Sequence, residues 1–265
     1  MRVVVTRPAS DAATWVAALE TAGYPVLSLP LIDISPVTDS AALDQAWAQW
    51  PQWQAVMFVS AQAVRFFFAR QPQVVQVSEH RTRCWATGPG TRKALLQAGV
   101  PPSLIDSPHD DAGQFDSEAL WQGVKAWVKP ELAVLIVRGT QDSHTAQHLD
   151  ADHTGVGRDW LSQQLHAAQV PVHFVVVYQR QAPAWTDAQR AQAALAASDG
   201  SVWLMSSSQA VANLSHSLPQ QDWSRARCIA THARIAQSVQ GLGFAEIRLT
   251  RPVLADVMAS LESLA

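Results

Sequence analysis

Short apolar runs alternate with amphipathic stretches from the first residues of the chain. The run VVV at 3–5 is typical of a strand buried on both faces. The next segment, SDAATWVAALETAG, offers a capping Ser or Asp, an apolar face through Trp15 and Leu19, and a terminal Gly23. These features predict a helix. VLSLPLI at 26–32 predicts a second buried strand, so the chain opens as a β-α-β unit.

The same alternation continues to the end of the chain. Further strands are predicted at 55–60, 83–87, 103–107, 132–139, 172–180, 201–206, 227–231 and 246–250. Helices are predicted at 61–70, 89–98, 115–127 and 157–169, from Thr186 with its capping-box partner Gln189, after 206, from about 233 and from Pro252. Strands that alternate with helices favour parallel sheets covered by helices on both faces.

Several short segments occur twice, in the same order and at nearly the same separation. The pairs are SAQAV at 60–64 with SSQAV at 207–211, RC at 83–84 with RC at 227–228, and AGYPV at 22–26 with AQVPV at 168–172. We therefore expect an α/β fold with two lobes of parallel sheet flanked by helices, built by internal duplication. The segment 140–156 has no counterpart in the first half, and we interpret it as an inserted surface loop.

Composition narrows the classes of function. The chain has 265 residues, 48% of them hydrophobic, and a formal net charge of −3, which suits one large or two moderate domains. The chain has no run of Lys and Arg residues, which argues against nucleic-acid binding. No apolar run approaches the roughly 20 residues that span a membrane. The N-terminus lacks a signal-peptide pattern, so we expect a soluble cytoplasmic protein. Cys84 and Cys228 hold equivalent repeat positions, which indicates two core residues rather than a disulfide.

The carboxyl ends of the strands carry the candidate chemistry, because ligands of open parallel sheets bind at that edge. Helix N-termini there favour anions. The residues at these turns are Thr6, Arg7, Ser60, Ala61, Gly88, Thr91, Arg138, Ser206, Ser207 and Ser208. Any one such Ser, taken alone, is better explained as a helix cap, but several such turns on two matching lobes favour a ligand with many negative charges. His232 could cap a helix or contact an anion.

Two further hypotheses concern single groups. Tyr178 ends a strand at the same edge, where its phenol could donate a proton or could simply pack. His144, His148 and His153 lie near aspartates in the 140–156 segment, and could bind a metal, although a solvated polar loop explains them better. GxGxxG, GxxxxGK[ST] and GxSxG are absent, which argues against nucleotide binding and a nucleophile elbow. We therefore expect neither a bound metal nor a nucleotide cofactor.

The order of the motifs resembles a known family. TRP near the start, then LPLI, VSAQAV, ATGPGT, VLIVRG with a GR-led helix, VVVYQR and SSSQAV together resemble uroporphyrinogen-III synthase along nearly the whole chain, apart from 140–156. The resemblance implies a cofactor-free, cytoplasmic lyase of tetrapyrrole (haem) biosynthesis. Such an enzyme takes linear hydroxymethylbilane, removes water and closes the macrocycle with ring D inverted.

The resemblance also implies domains and site residues. It predicts one α/β lobe from 1–35 and 181–265, a second from 36–180, and a two-stranded connector at Ile34–Val37 and Tyr178–Pro183. Tyr178 matches the tyrosine proposed as proton donor. The predicted substrate-binding residues are Thr6, Arg7, Ser60, Ala61, Gly88, Thr91, Arg138, Arg158, Ser206, Ser207 and Ser208. In the second half-site, HARI at 232–235 replaces the expected Gly-x-x-Thr, so contact there would be through the backbone or absent.

The implied partner is the small-molecule substrate hydroxymethylbilane, with handover from hydroxymethylbilane synthase as a further hypothesis. We expect a monomer that binds neither nucleic acid nor membrane. The sequence leaves two alternatives open. One is a non-catalytic two-lobed module that binds an anionic tetrapyrrole or another polyanionic small molecule, and the other is a synthase-like regulatory domain without activity.

Overall fold

The computed structural model describes residues 1–108, 116–140 and 159–264. The chain divides into two compact units. The first unit comprises Met1–Ile34 and Gln181–Ala265, and the second comprises Ser35–Arg180. The division falls within two strands, at 34/35 and at 180/181.

The described elements follow the predicted alternation. In chain order they are β1 (Val3–Val5), α1 (Ala9–Thr21), β2 (Val26–Ser28), β3 (Asp33–Pro36), α2 (Ala41–Ala48), β4 (Ala55–Phe58), α3 (Ala61–Phe68), β5 (Arg83–Ala86), α4 (Pro89–Gln97), β6 (Ile105–Asp106), α5 (Ser117–Val124), β7 (Val134–Thr140), α6 (Asp159–Ala167), β8 (Val172–Gln181), α7 (Asp187–Ala196), β9 (Val202–Met205), α8 (Ser208–Ser217), β10 (Arg227–Ala230), α9 (Ala233–Gly241), β11 (Glu246–Leu249) and α10 (Leu254–Glu262). Short 3₁₀ helices lie at Trp50–Gln52, Val77–Glu79 and Pro102–Leu104.

The first unit is built on a parallel sheet in the order β11-β10-β9-β1-β2. Successive residues of its strands point to opposite faces, so both faces need apolar side chains. Val4 and Trp203 pack on one face, whereas Val3, Val5 and Ile229 pack on the other. Helices cover both faces, which explains the unbroken apolar runs in the sequence.

The second unit has a sheet in the order β3-β8-β7-β4-β5-β6. The pairs from β8 to β6 are parallel. The Val37 N–H donates to the Val177 carbonyl, and the Gln179 side chain donates to Oγ of Ser35. This pairing shows that β3 runs antiparallel to β8. Trp47 packs against Phe67, with 4.5 Å between ring centroids, and helix α2, which carries Trp47, is absent from our predictions. The helical spacing of Leu43, Trp47 and Trp50 could have revealed it.

The two sheets share one strand order, which confirms the predicted α/β fold and its duplication. Read from β6, the second sheet runs β6-β5-β4-β7-β8, matching β11-β10-β9-β1-β2 of the first. Gly99 and Gly243 are equivalent in the repeat and have φ of 85° and 92°. Gly23 and Gln169, also equivalent, have φ of 86° and 58°. Helices in both repeats therefore end through the same left-handed turn.

Proline residues account for the main differences from the predicted boundaries. β2 ends at Ser28 rather than at 32, because Pro30 has no N–H to donate to a neighbouring strand. Pro101 and Pro102 begin a 3₁₀ turn, which shortens the predicted strand 103–107 to Ile105–Asp106. The final helix begins at Leu254, two residues after Pro252. Residues 141–156 of the predicted insertion lie outside the described residues, as do Arg158 and the three histidines.

Candidate functional site

In the first unit, the strands β1, β9 and β10 end at one edge of the sheet, because they are parallel neighbours. Thr6 follows β1, is 1% exposed, and donates its hydroxyl hydrogen to the Leu204 carbonyl at 2.6 Å. The Thr6 hydroxyl therefore stabilises the contact between β1 and β9.

Arg7 contributes a positive charge at this edge. Its guanidinium carbon lies 4.1 Å from the centroid of the Trp15 ring. Burial lowers the pKa of Arg7, and the charge of Asp11 partly offsets this effect. A recess beside Arg7 is lined by Val5, Trp15, Leu204, Met205, Ser206, Ile229, Thr231 and Val257. A guanidinium in this mostly apolar recess would gain from an anionic partner.

Three Ser residues surround the start of α8. Ser207 occupies the cap position in an extended conformation, but its side chain forms no capping hydrogen bond. The hydroxyl of Ser208 is a buried atom without a hydrogen-bond partner in the described part of the chain. Ser206 lines the recess beside Arg7. Hydroxyls that do not cap the helix, next to its free N–H groups, are suited to an anion.

His232 takes the capping role at the next turn. Its Nδ1 accepts a hydrogen bond from the Arg234 N–H at 3.1 Å, at the start of α9. Of the two interpretations made from sequence, the structure shows the cap.

In the second unit, Ser60, Ala61, Gly88 and Thr91 lie at the equivalent edge. Ser60 caps α3 by accepting from the Ala63 N–H at 3.1 Å, and Ala61 is the first residue of that helix. Gly88 caps α4 without a side chain, and Thr91 is 6% exposed in its first turn. Ser60 therefore differs from Ser207, its repeat equivalent, because its side chain does cap the helix.

Arg138 lies near the end of β7. Its guanidinium carbon is 4.4 Å from the centroid of the Phe174 ring on the neighbouring strand β8. Arg138 is half-buried, so its charge is held at a fixed position close to the edge of the sheet.

Tyr178 lies on β8, beside strand β7. Its side chain is 0% exposed and its ring stacks on Phe66, with 5.6 Å between centroids. On β7, the residue opposite is Gly139, next to a register shift between Arg138 and Gly139. A Cβ atom at 139 would lie 2.2 Å from Cε2 of Tyr178, so the ring occupies space that only Gly leaves open.

The phenol oxygen of Tyr178 has two partners. It lies 3.2 Å from Oγ of Ser60 and accepts a hydrogen bond from the Arg180 guanidinium at 3.1 Å. The structure thus brings together two predicted residues, Ser60 and Tyr178, that are 118 positions apart. Arg180 is absent from the sequence predictions. Its position two residues after Tyr178 on one strand puts both side chains on the same face, which was the available signal.

The part of the chain that the structure describes contains neither a cluster of metal ligands nor a membrane-spanning helix. In residues 1–108, 116–140 and 159–264, no group of three or more His, Cys, Asp or Glu side chains is arranged to hold a metal ion. The hypothesis for His144, His148 and His153 lies outside these ranges. Over the same residues, no helix combines the length and apolar character needed to cross a membrane.

Fold and site together define a class: an α/β protein of two duplicated parallel-sheet units, with anion-suited helix N-termini at the sheet edges. Uroporphyrinogen-III synthetase from Helicobacter pylori shares this fold, with a TM-score of 0.59 at 17% identity over all of both chains. A mutant uroporphyrinogen III synthase from Thermus thermophilus gives 0.53 at 14% identity, over 100% of this chain and 98% of that one.

The family model for uroporphyrinogen-III synthase HemD matches residues 13–251. This chain belongs to the uroporphyrinogen-III synthase family. The match confirms the resemblance inferred from the order of the sequence motifs.

Proposed function

We propose that this protein converts hydroxymethylbilane into uroporphyrinogen III, with loss of water and inversion of ring D, as a lyase of haem biosynthesis. The observation that carries this conclusion is the family match over residues 13–251. The two units are proposed as its functional lobes, and the cytoplasm as its location. We also propose that the protein is a monomer and that it receives its substrate from hydroxymethylbilane synthase.

The first unit is proposed to bind carboxylates of the substrate. Arg7 is a charged group in an apolar recess, and Ser206 lines that recess. Ser207 and Ser208 add hydroxyls at the N-terminus of α8 that do not cap the helix. Thr6 is proposed to hold the edge in place, because its hydroxyl already bonds to Leu204.

In the second unit, Ala61, Gly88 and Thr91 are proposed to bind carboxylates through the first turns of α3 and α4. N–H groups at a helix start attract anions, and Gly88 allows a close approach of the ligand to the backbone. Arg138 and Arg158 are proposed to supply positive charge.

Tyr178 is proposed as the source of the proton that converts the departing hydroxyl into water. The phenol can donate a proton, and the neighbouring Arg180 guanidinium can stabilise the negative charge that then develops on its oxygen. The chain must also be held so that the substituted carbon of ring D attacks, through a spiro intermediate. Positioning and fixed charges therefore supply most of the catalytic effect.

Isomer analysis tests this function. Freshly generated hydroxymethylbilane is given to the protein, the products are oxidised, and type I and type III porphyrins are separated by chromatography. We expect a clear excess of type III over a control without protein. Only type I porphyrin, from protein whose folding is verified by circular dichroism, would contradict an enzyme and indicate a binding or regulatory module.

A further inference from the structure

The hydrogen bonds around Tyr178 have a direction that follows from the groups involved. A guanidinium has only N–H donors, so Arg180 donates to the phenol oxygen and cannot accept the phenol proton. The phenol is fully buried and its proton needs an acceptor. Among the described residues, the one acceptor within hydrogen-bonding distance is Oγ of Ser60, at 3.2 Å. The Tyr178 O–H therefore donates to Ser60.

The same reasoning fixes the proton of Ser60. A hydroxyl oxygen has two acceptor lone pairs and one O–H donor. Oγ of Ser60 accepts from the Ala63 N–H at 3.1 Å and from the Tyr178 phenol, so both lone pairs are used. The remaining Ser60 O–H can donate outwards, and Ser60 is partly exposed whereas Tyr178 is 0% exposed. It follows that Ser60, rather than the buried phenol, is placed to donate a proton to a ligand.

We propose that Ser60 is a catalytic residue that passes the proton of Tyr178 to the substrate, and that Arg180 is a positioning residue that orients the phenol. This inference rests on the proposed synthase function. It changes the role of Ser60 from a carboxylate contact to a proton relay, and it gives Arg180 a role in the reaction.

The proton transfer is balanced. As the C–O bond of the hydroxymethyl group breaks, the departing oxygen takes the Ser60 proton and leaves as water. Oγ of Ser60 takes the Tyr178 proton at the same time, which leaves a phenolate beside the Arg180 guanidinium. Closure of the macrocycle later releases one proton, and that proton restores the phenol. No oxidant or reductant is required.

Two substitutions at 60 separate the relay from helix capping. Asn caps a helix about as well as Ser, and its amide oxygen can accept from the Ala63 N–H, but it has no hydroxyl proton to pass on. Thr caps slightly less well and keeps the hydroxyl. Ser60→Asn and Ser60→Thr thus preserve the cap and differ in the group that the relay needs.

Steady-state formation of type III product is measured for these two variants and for Ser60→Gly in the full chain, with product affinity and melting temperature in parallel. For Ser60→Asn we expect kcat to fall about 100-fold, the size typical of a lost general acid, with product affinity and melting temperature near wild type. Ser60→Thr should stay within about fivefold of wild-type kcat, and Ser60→Gly, which retains most capping stability, should fall like Ser60→Asn. If Ser60→Asn turns over as fast as Ser60→Thr, or changes only KM, the relay is overturned.

A second measurement tests the chain of residues. Arg180→Met should lower kcat about tenfold, the size expected for one hydrogen bond to a charged group, without raising KM. Because Arg180 acts through the phenol, adding Arg180→Met to Tyr178→Phe should cause no further loss. Losses that multiply in the double variant would contradict its positioning role.

The outcomes also distinguish this inference from the function on which it rests. If the wild-type protein forms no excess of type III porphyrin, both the synthase function and the relay are overturned. If the wild type forms type III and Ser60→Asn matches its kcat, only the relay is overturned.

Discussion

Replacing Gly139 by Ala should displace the Tyr178 ring. A Cβ at 139 would lie 2.2 Å from Cε2, 2.3 Å from Cζ and 2.7 Å from Cδ2 of Tyr178. Carbon atoms in contact are normally about 3.5–4.0 Å apart, so the ring must move by roughly 1 Å or more. The phenol oxygen already lies 3.2 Å from Oγ of Ser60, and such a shift breaks that hydrogen bond.

Two magnitudes follow from this displacement. Overpacking of a filled site typically costs about 1–3 kcal/mol of stability, and each kcal/mol lowers the melting temperature of a chain of this size by about 2–4 °C. A misplacement of about 1 Å in a catalytic group can reduce turnover about 100-fold. Gly139→Ala should therefore lose turnover far more than its modest loss of stability explains, and approach the rate of Tyr178→Phe.

The assay measures kcat for type III formation and the melting temperature of Gly139→Ala beside a matched variant. Gly123→Ala lies within α5 of the same unit, where a Cβ would meet no atom within 4 Å. Ala in a helix interior should stabilise that variant by about 0.5–1 kcal/mol and leave turnover unchanged. Wild-type turnover in Gly139→Ala would refute this prediction, because the position of the Tyr178 ring would then not require the space that Gly139 leaves open.

Three further predictions concern stability and thiol chemistry. Burial raises the pKa of the Cys84 thiol to about 12 and also raises the pKa of Cys228. Neither thiol should therefore react with Ellman's reagent at pH 8 until guanidinium unfolds the chain. Rapid labelling of the native protein would contradict the burial of the two thiols. The raised folded-state pKa of Cys84 makes stability depend on pH. The contribution of the Cys84 thiol to the unfolding free energy is complete below its ordinary pKa of 9.0 and is lost as the pH rises towards about 12. Over that pH window, the unfolding free energy of Cys84→Ala should therefore fall less steeply than that of the wild type. Thr186→Ala removes the capping box with Gln189 at the start of α7. In a denaturant titration it should lower the unfolding free energy by about 1 kcal/mol with turnover unchanged, whereas Thr186→Ser should retain most of the capping stability. Equal stability of wild type and both variants would contradict the capping role.

Local patterns were sufficient to predict the architecture. Apolar runs depend on neighbours in sequence, and together with the twice-occurring segments they indicated the duplicated α/β fold that the structure has. The predicted Ser or Asp cap of the first helix was wrong, because α1 begins at Ala9, directly after Pro8. The boundaries that were wrong depend on Pro30, Pro101 and Pro102, whose missing N–H groups shorten strands. Helix α2 was missed although its apolar spacing was visible.

The contacts of the site were harder to predict, because they depend on the register between strands. Tyr178 faces Gly139 only because β7 and β8 pair with a shift between Arg138 and Gly139. Its contact with Ser60 joins positions that are far apart in sequence. Whether a Ser caps its helix, as Ser60 does, or leaves its hydroxyl free of the cap, as Ser207 does, depends on rotamers that no sequence pattern specifies.

The phenol of Tyr178 is proposed to supply the proton for a uroporphyrinogen-III synthase reaction. The chain has two tyrosines, Tyr24 and Tyr178, so each can be replaced by Phe as the control for the other. The most direct measurement is kcat for type III formation by wild type, Tyr178→Phe and Tyr24→Phe, with product affinity measured in parallel. We predict a loss of about 100-fold for Tyr178→Phe at unchanged product affinity, and wild-type kcat for Tyr24→Phe. Equal kcat values in the two variants would contradict the claim.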